Sequence, residues 1–311
     1  MKKKREINIL DVVIAGGGPA GLSAALVLGR SLKNVTVIDD GRPRNYVTAA
    51  SHGFLTRDGI KPSELRKIAH EQLTKYQNVK FTEDFIEKVE KKNNVFITTT
   101  KSGKTMVSKK IVFGTGMKDH LPAIDGLQEV YGKTVFHCPY CDGWERRDEP
   151  LAVFGNGKGL LPFIKLIYNW SEDLIAFTNG TADITKEEKQ ELIQHNIPLI
   201  ESPIIEFQST KGNLERIILQ NGDAVRRKGG FWVTTNEQQA SMIPALLGVP
   251  LNENGEYETG DHGQTNIKGL SIVGDAKNSF TSLIGAAEQG YEIGVKINGE
   301  LAEEKWADKL L

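Results

Sequence analysis

The sequence has little of several features that mark common classes of protein. Its 311 residues contain only two cysteines, which excludes a secreted fold held by several disulfides. Basic and acidic residues nearly balance at a net charge of −1, so no strongly basic face is predicted and nucleic acid is not an expected partner. No hydrophobic run reaches membrane-spanning length without a polar interruption, so no membrane contact is predicted. We therefore expect a cytoplasmic globular protein with room for two domains.

The basic segment Lys2–Arg5 and the apolar run after it have the outline of a secretory signal. However, Asp11 interrupts that run, and the following segment, 14–21, is richer in glycine than the apolar core of a signal peptide. We therefore expect no signal peptide.

The two cysteines form a compact motif. Cys138 and Cys141 lie three positions apart, a spacing at which a disulfide can open and close within one turn of chain. Pro139 stiffens this turn, and a helix beginning there would lower the thiol pKa, because its exposed N–H groups favour the thiolate. Zinc is the alternative, but tetrahedral zinc needs two more ligands and only His137 is close in sequence. We predict a redox pair and no metal site; His137 either packs structurally or, as an imidazolium, lowers a thiol pKa.

The first part of the chain predicts a βαβ unit. A buried strand at 7–15, a helix of small apolar residues at 21–29 and a second buried strand at 35–39 follow one another, with a glycine-rich turn after the first strand. Apolar residues at helical spacing predict a helix over 62–76. Alternation over 79–115 predicts an antiparallel meander.

The same order then begins again. Strands are predicted at 151–154 and 173–177, with a helix at 160–169 between them, and a capping box formed by Thr185 and Glu188 begins another helix. The predicted fold class is α/β, with two Rossmann-like (doubly wound, three-layer) dinucleotide-binding domains, the second inserted into the first. The predicted boundaries are 1–118 and 241–311 for the first domain and 119–240 for the inserted one, which carries the cysteine pair.

A dinucleotide-binding motif joins the first predicted strand to the first helix. Gly16 allows a tight turn, Gly18 lets the backbone approach a pyrophosphate, and Gly21 permits close packing of the helix on the strand. Pro19 and Ala20, between these glycines, are expected to lie in the same site. An acid at the end of the next strand would accept hydrogen bonds from a ribose diol, and the candidates are Asp39, which we favour because it completes the strand, and Asp40.

Two further segments resemble motifs of flavoproteins with two dinucleotide domains. One resembles the second flavin motif of such proteins; its residues are Thr265, Gly269, Leu270, Gly274 and Asp275. This resemblance implies that Asp275 binds the ribitol chain of FAD, and that the helix after it, including Ala286, faces the flavin. The segment Gly114-Thr115-Gly116 resembles the one that joins the FAD domain to the inserted domain. Together with the first glycine motif, these segments favour FAD over NAD at the first site.

With the cysteine pair added, the whole chain resembles the low-molecular-weight thioredoxin reductase family. The resemblance implies that Cys141 lies beside the flavin, that Cys138 exchanges with substrate, and that Asp142 gives or takes the proton that thiol–disulfide exchange requires. It also implies a homodimer acting on a thioredoxin-like protein or a small dithiol or disulfide. The inserted domain would rotate about hinges near 117–121 and 236–244.

The second nucleotide motif departs from the family pattern. Leu160 occupies the position of a small third residue, and 178–181 lacks the arginines that bind a 2′-phosphate. NADPH binding is therefore expected to be weak or lost, whereas NADH remains possible. Ser282-Leu283 also replaces an Arg-Gln pair of the family. The segment 41–45, with Arg44 and Asn45 as expected cofactor-site residues, resembles a branch that includes flavin dithiol oxidases.

Three functions follow from these observations. The first is a FAD-dependent thiol–disulfide oxidoreductase that reduces a thioredoxin-like protein with a reduced nicotinamide. The second uses the same machinery to oxidise a dithiol with oxygen or another acceptor. A third, a flavin-binding redox sensor without turnover, is disfavoured because a sensor needs neither the intact pair nor Asp142. Oxidoreductases acting on ferredoxin-like partners share the fold but usually lack such a pair.

Overall fold

A computed structural model describes residues 8–279 and 281–308 of the chain. The basic segment Lys2–Arg5 and the first residue of the strand predicted at 7–15 lie outside the described residues. The described strands are β1 (Ile9–Ala15), β2 (Val35–Asp39), β3 (Val79–Glu83), β4 (Ile86–Lys92), β5 (Val95–Thr100), β6 (Thr105–Phe113), β7 (Met117–Lys118), β8 (Val135–Phe136), β9 (Leu151–Phe154), β10 (Leu174–Phe177), β11 (Leu199–Ile200), β12 (Ile204–Thr210), β13 (Asn213–Leu219), β14 (Ala224–Arg226), β15 (Gly229–Trp232), β16 (Gln238–Gln239) and β17 (Leu270–Ile272). The described α-helices are α1 (Pro19–Arg30), α2 (Pro62–Leu73), α3 (Leu127–Val130), α4 (Pro139–Asp142), α5 (Leu160–Ile167), α6 (Lys186–Gln194), α7 (Ile243–Leu246) and α8 (Leu283–Ala307).

The first sheet combines strands from the two ends of the chain. Its order is β3-β2-β1-β6-β5-β4, and β17 pairs in parallel with the last residues of β6. The central strand β1 is parallel to both β2 and β6, and Val12, Val13 and Ile14 within it are completely buried. Because a parallel sheet is covered on its faces, such a strand is apolar on both sides. The carboxyl ends of β1, β6 and β17 therefore meet at one edge of the sheet.

The second sheet is built only from the middle of the chain. Its order is β11-β10-β9-β15-β8, and all its pairings are parallel. A three-stranded antiparallel sheet, β12-β13-β14, packs beside it through Phe207, which contacts Phe154 of β9. The predicted capping box at Thr185 and Glu188 is present at the start of α6. The predicted fold class, two Rossmann-like folds with the second inserted into the first, is confirmed; the residue boundaries stay a prediction.

One prediction about the first sheet is wrong. The meander was predicted over 79–115, but β3 pairs in parallel with β2, and the antiparallel part begins only at β4. The helix α2 separates β2 from β3, so the chain returns to the same edge of the sheet and the new strand runs in the same direction. Alternation of side chains alone does not distinguish a parallel edge strand from an antiparallel one.

The helices α1 and α8 pack against each other at unusually short range. A Cβ added to Gly290 would lie 2.0 Å from the carbonyl oxygen of Ala20, and one added to Gly294 would lie 2.9 Å from Cβ of Val27. Glycine at these positions lets the two helix backbones approach, and the last helix is thereby fixed beside the first nucleotide motif. Within the described residues, neither α8 nor another helix is long and apolar enough to cross a membrane.

Candidate functional site

The turn after β1 is built around glycine. Gly16 has a φ of +99°, and a Cβ there would lie 2.4 Å from the carbonyl oxygen of Gly114 at the end of β6. A Cβ on Gly21 would lie 2.0 Å from the carbonyl oxygen of Gly16. By contrast, a Cβ on Gly18 would meet no described atom within 4 Å. Gly18 thus faces open space at the start of α1, where backbone N–H groups without a side-chain cap can bind an anion.

Of the two candidate acids after β2, Asp39 lies at this turn. Its Oδ2 accepts a hydrogen bond from the N–H of Gly17 at 2.6 Å, and its Oδ1 accepts one from the N–H of Gly41 at 2.9 Å. Asp39 also forms an ion pair with Arg66 of α2. Asp40 is exposed and, among the described residues, accepts a hydrogen bond only from the N–H of Arg42, at 3.3 Å. Asp39 and not Asp40 therefore lies at the glycine turn, and its role as the ribose ligand stays a prediction.

The two flavin-type segments meet the start of α1 from the other strands. A Cβ on Gly114 would lie 3.2 Å from the nitrogen of Gly21. A Cβ on Gly274, whose φ is +75°, would lie 3.2 Å from Cβ of Ala20 and 3.8 Å from Cβ of Ala286. The hydroxyl oxygen of Thr115 is buried and has no hydrogen-bond partner among the described residues. An unpaired buried hydroxyl beside an open glycine turn fits a cradle that takes its remaining hydrogen bond from a bound cofactor.

Arg44 connects this cradle to the segments that lead into the second fold. Its Nη1 lies 3.4 Å from Oδ2 of Asp275, its Nε donates to Oδ1 of Asp119 at 3.0 Å, and its Nη2 lies 3.1 Å from Oε1 of Glu237. Burial lowers the pKa of Arg44, but the carboxylates outweigh it and raise the pKa above its ordinary value. Burial raises the pKa of Asp275 to about 6 although Arg44 opposes the shift.

The predicted neighbour of Arg44 makes a different contact. Asn45 donates from Nδ2 to the hydroxyl of Ser51 at 3.3 Å. This bond ties the segment after β2 to the loop that follows it, so no direct link between Asn45 and the glycine turn is made by the described residues.

The cysteine pair lies at the start of α4. Cys138 and Cys141 form a disulfide, with their Cα atoms 5.3 Å apart. Cys138 is the N-cap residue of α4, and the N–H of Cys141 donates to Sγ of Cys138 at 3.2 Å. This hydrogen bond favours the thiolate of Cys138 once the disulfide opens. The side chain of Tyr140, between the two cysteines, is 62% exposed, so a partner can reach this turn from solvent.

Asp142 lies directly after the second cysteine in a poorly solvated position. Burial raises its pKa to about 7, with the charge of Glu145 adding to the shift and the charges of His52 and Arg146 opposing it. A carboxyl with this pKa can either give or take a proton near neutral pH. It therefore suits the proton transfer that accompanies opening and closing of the disulfide.

Replacing Asp142 with asparagine is expected to stabilise the protein at high pH. The pKa of Asp142 is about 7 in the folded chain and about 4 when unfolded, so its stabilising contribution is complete below pH 4 and is lost as pH rises to 7. We expect the melting temperature of Asp142→Asn to exceed that of the wild type by about 2–4 °C at pH 8, with a smaller difference at pH 5.5. Thermal melts at both values test this, with Asp148→Asn on the exposed loop nearby as control. A difference that does not depend on pH would contradict the assignment.

The second glycine turn is arranged differently from the first. Asn156 accepts from the N–H of Gly157 at 2.9 Å and from the N–H of Asp183 at 2.7 Å, and its Nδ2 donates to the carbonyl of Thr181 at 2.9 Å. The carboxylate of Asp183 lies 3.7 Å from the position a Cβ on Gly157 would take. Leu160, at the third motif position, is completely buried at the start of α5.

Sequence reasoning missed several residues of this region. Asp119, Glu237, Tyr131 and His52 belong to no motif, and their contacts join segments that are far apart in the chain. The segment 117–121 was predicted only as a hinge, so its acid was not recognised as a partner of Arg44. The ion pairs of Arg44 supply a physical reason for a residue that was expected at the site by resemblance alone.

Comparison with known proteins places the chain in a known group. Residues 10–158 match the model of the pyridine nucleotide-disulphide oxidoreductase family. The thioredoxin reductase tcpT of Claviceps purpurea is 36% identical, covering 94% of this chain and 95% of that protein. A probable thioredoxin reductase of Arthroderma benhamiae is 30% identical, covering 95% and 81% respectively. Among solved structures, TrxB of Bacillus anthracis, provisionally named a thioredoxin reductase, is 37% identical with a TM-score of 0.91, covering 95% of this chain and 99% of that one. HlmI is 30% identical with a TM-score of 0.92, covering 97% and 95%.

The fold, the disulfide at α4 and these relatives together define a FAD-dependent thiol–disulfide oxidoreductase. The chain belongs to the thioredoxin reductase-like family of pyridine nucleotide-disulfide oxidoreductases. In such an enzyme, FAD supplies the two-electron chemistry that the protein cannot perform alone, and NAD(P)H is the other cofactor of the family. The glycine turn after β1 and the segments at Thr115 and Gly274 would hold FAD, and Cys138–Cys141 would carry the sulfur chemistry.

Proposed function

We propose that this enzyme oxidises a dithiol to a disulfide at Cys138–Cys141, with dioxygen as the final electron acceptor; bound FAD would supply the two-electron chemistry between them. The dithiol loses two electrons and two protons, and dioxygen gains them as hydrogen peroxide. The observation that carries this direction is the second glycine turn, where the N–H of Gly157 donates to Asn156 and the carboxylate of Asp183 lies close to Gly157.

The electrostatics of that turn oppose a dinucleotide. The carboxylate of Asp183 adds negative charge beside Gly157, and no described cation forms an ion pair with it, whereas Asp39 at the first turn is paired with Arg66. No lysine, arginine or histidine lies in 178–181, where the 2′-phosphate of NADPH would be bound. We therefore expect electrons to enter from a dithiol instead.

We assign the sulfur chemistry as follows. A substrate thiolate attacks Sγ of Cys138, the Cys138–Cys141 bond breaks, and Cys141 leaves as a thiolate. The second substrate thiolate then attacks the substrate sulfur of the mixed disulfide; the substrate disulfide forms, the bond to Sγ of Cys138 breaks, and Cys138 leaves as a thiolate. Asp142 gives or takes a proton in these steps. The exposed Tyr140 and Trp144 beside the pair suit either a thioredoxin-like protein or a small dithiol.

A nicotinamide-driven reductase is the second candidate. The relatives reported above that carry a functional name are thioredoxin reductases, and NADH lacks the 2′-phosphate that the missing cations would bind. In that version the same two cysteines reduce a disulfide, so the electron partner alone distinguishes the two reactions.

An anaerobic titration of the purified flavoprotein tests the direction. We expect dithiothreitol to bleach the flavin absorbance, NADPH not to bleach it, and NADH to act slowly at most. Admitting air should restore the absorbance and release hydrogen peroxide. We also expect Asp183→Asn to accelerate bleaching by NADH several-fold, because a repulsive charge is removed, whereas Asp148→Asn on an exposed loop should not. Rapid bleaching of the wild type by NADPH would contradict the proposal.

We further propose that the enzyme is a cytoplasmic homodimer whose second fold rotates about the connecting segments. The exposed apolar side chains of Ile284, Tyr291 and Val295 recur at helical spacing on α8 and support a protein contact there. The two connecting segments lie side by side, since β7 pairs with β16, which supports a shared hinge. Light scattering of the purified protein measures the mass, and a monomer at micromolar concentration would contradict the dimer.

A further inference from the structure

A line of hydrogen bonds runs from the connecting segment to the residue before the cysteine pair. Oδ2 of Asp119 accepts from the hydroxyl of Tyr131 at 2.9 Å, and the same hydroxyl lies 3.0 Å from Nδ1 of His137. His137 directly precedes Cys138. The other oxygen of Asp119 is held by Arg44 at 3.0 Å and by the hydroxyl of Thr235 at 2.7 Å, so the carboxylate is fixed in place.

The protons along this line can be assigned from chemistry. Burial opposes ionisation of Asp119, but Arg44 outweighs it and holds the pKa of Asp119 below its ordinary value. Burial and the charge of Asp119 raise the pKa of Tyr131, so the phenol keeps its proton. A phenol has one proton to donate, and a carboxylate can only accept. The proton of Tyr131 therefore points to Asp119, and the phenol oxygen must accept from Nδ1–H of His137.

The opposite arrangement would be unfavourable. If Tyr131 donated to His137, its oxygen would face the Asp119 carboxylate at 2.9 Å with no proton between them. Burial and the charge of Arg44 lower the pKa of His137, although Asp119 and Glu237 oppose the shift. The imidazole is therefore neutral near pH 7, with its proton on Nδ1. No described residue forms a hydrogen bond with its Nε2, which keeps a lone pair.

We propose that Tyr131 and Asp119 are positioning residues that hold His137 as the neutral Nδ1–H tautomer, whose Nε2 takes a proton from a thiol at the cysteine pair. The inference rests on the proposed thiol exchange. In the first step the substrate S–H bond breaks, its proton goes to Nε2, the substrate sulfur bonds to Cys138, and Cys141 leaves with the electron pair of the broken disulfide.

A dithiol releases two protons as it is oxidised, and the chain has two groups for them. His137 precedes the first cysteine and Asp142 follows the second in the sequence, and we assign one of the two protons to each. In the later step the protonated His137 returns its proton to the thiolate of Cys138 or to solvent. The same arrangement serves reduction of a disulfide in the reverse direction.

The tautomer can be measured directly in the resting flavoprotein. We expect NMR of the ¹⁵N-histidine-labelled holoenzyme at pH 7.5 to show a pyrrole-type shift at Nδ1 of His137 and a pyridine-type shift at Nε2, with the signals assigned by their loss in His137→Gln. This measurement needs neither a dithiol nor a nicotinamide, so its outcome is independent of the direction of electron flow. An Nε2–H tautomer at His137 in the wild type would overturn the proposal.

The second test follows the thiol itself. In reduced Tyr131→Phe, we expect the apparent pKa for alkylation of Cys138 by iodoacetamide to rise by about one unit, which is about tenfold in rate at pH 7. Tyr168→Phe is the matched control, because Tyr168 also stands against a histidine ring, His195, at 6.0 Å, but its hydroxyl has no hydrogen-bond partner among the described residues. An unchanged pH profile in Tyr131→Phe would overturn the proposal.

Discussion

Serine at either position of the cysteine pair is expected to reduce dithiol turnover by at least about 10³-fold, because a hydroxyl cannot form the disulfide that carries the electron pair. The chain has no third cysteine that could substitute for Cys138 or Cys141. FAD should remain bound in both variants, since neither side chain belongs to the glycine cradle at the start of α1. Steady-state oxidation of a dithiol and the flavin-to-protein absorbance ratio measure the two effects. Tyr168→Phe, at the end of α5 and outside the cysteine site, is the control and should keep its activity.

The two serine variants should also differ from each other. In Cys141→Ser the remaining thiol at Cys138 is the one assigned to substrate, so it should form a stable mixed disulfide with an oxidised substrate analogue, detectable by intact mass. In Cys138→Ser the remaining thiol should form this adduct much more slowly. If the two variants formed the mixed disulfide at the same rate, the separate roles assigned to the two cysteines would be wrong. Full turnover in both variants would show that the reaction does not use disulfide chemistry.

Alanine at Gly18 is expected to weaken FAD binding by about 100-fold, or about 3 kcal/mol, while the apoprotein stays as stable as the wild type. Its backbone is extended, with a φ of −78°, and a Cβ would meet no described atom within 4 Å, so the fold has room for it. A pyrophosphate that approaches this backbone closely leaves no room for that Cβ. Flavin fluorescence on titrating the apoprotein with FAD measures affinity, and urea unfolding of the apoprotein measures stability.

Gly299→Ala provides the matched control. Gly299 lies in α8 and also faces open space, but it is separate from the glycine cradle, so the same substitution should leave FAD binding unchanged and stabilise the helix by about 1 kcal/mol at most. If Gly18→Ala bound FAD as tightly as the wild type, the pyrophosphate could not lie where the glycine motif predicts.

The sequence predicted the parts of the molecule that depend on local chemistry. The turn at Gly16–Gly21, the strands on either side of it and the capping box at Thr185 each need particular residue types at fixed spacing, and all were found. The family and the FAD-dependent activity were also predicted and are confirmed. The parallel direction of β3 was not predicted, because the crossover before a strand, and not the strand's own residues, determines which strand it pairs with.

The parts that escaped prediction depend on contacts between distant segments. Arg44 meets Asp119 across 75 positions and Asp275 across 231, and no local pattern indicates such pairs. Tyr131 belongs to no sequence motif, although its hydroxyl joins Asp119 to His137. The engagement of Asn156 with the backbone of Asp183 was equally hidden, since only the missing arginines could be read directly. Side-chain partners of this kind become visible only once the topology is known.

The close seating of α8 on α1 bears on how the enzyme is made. The cradle at Gly16 and Gly21 receives Gly274 and Ala286 from nearly the opposite end of the polypeptide, and Gly290 lies against Ala20. The second sheet can form as soon as β15 has been synthesised, before the last part of the chain is made, because all its strands lie between β8 and β15. The flavin compartment has to wait for α8 to emerge from the exit tunnel, so the vitamin-derived prosthetic group is acquired after translation of nearly the whole chain.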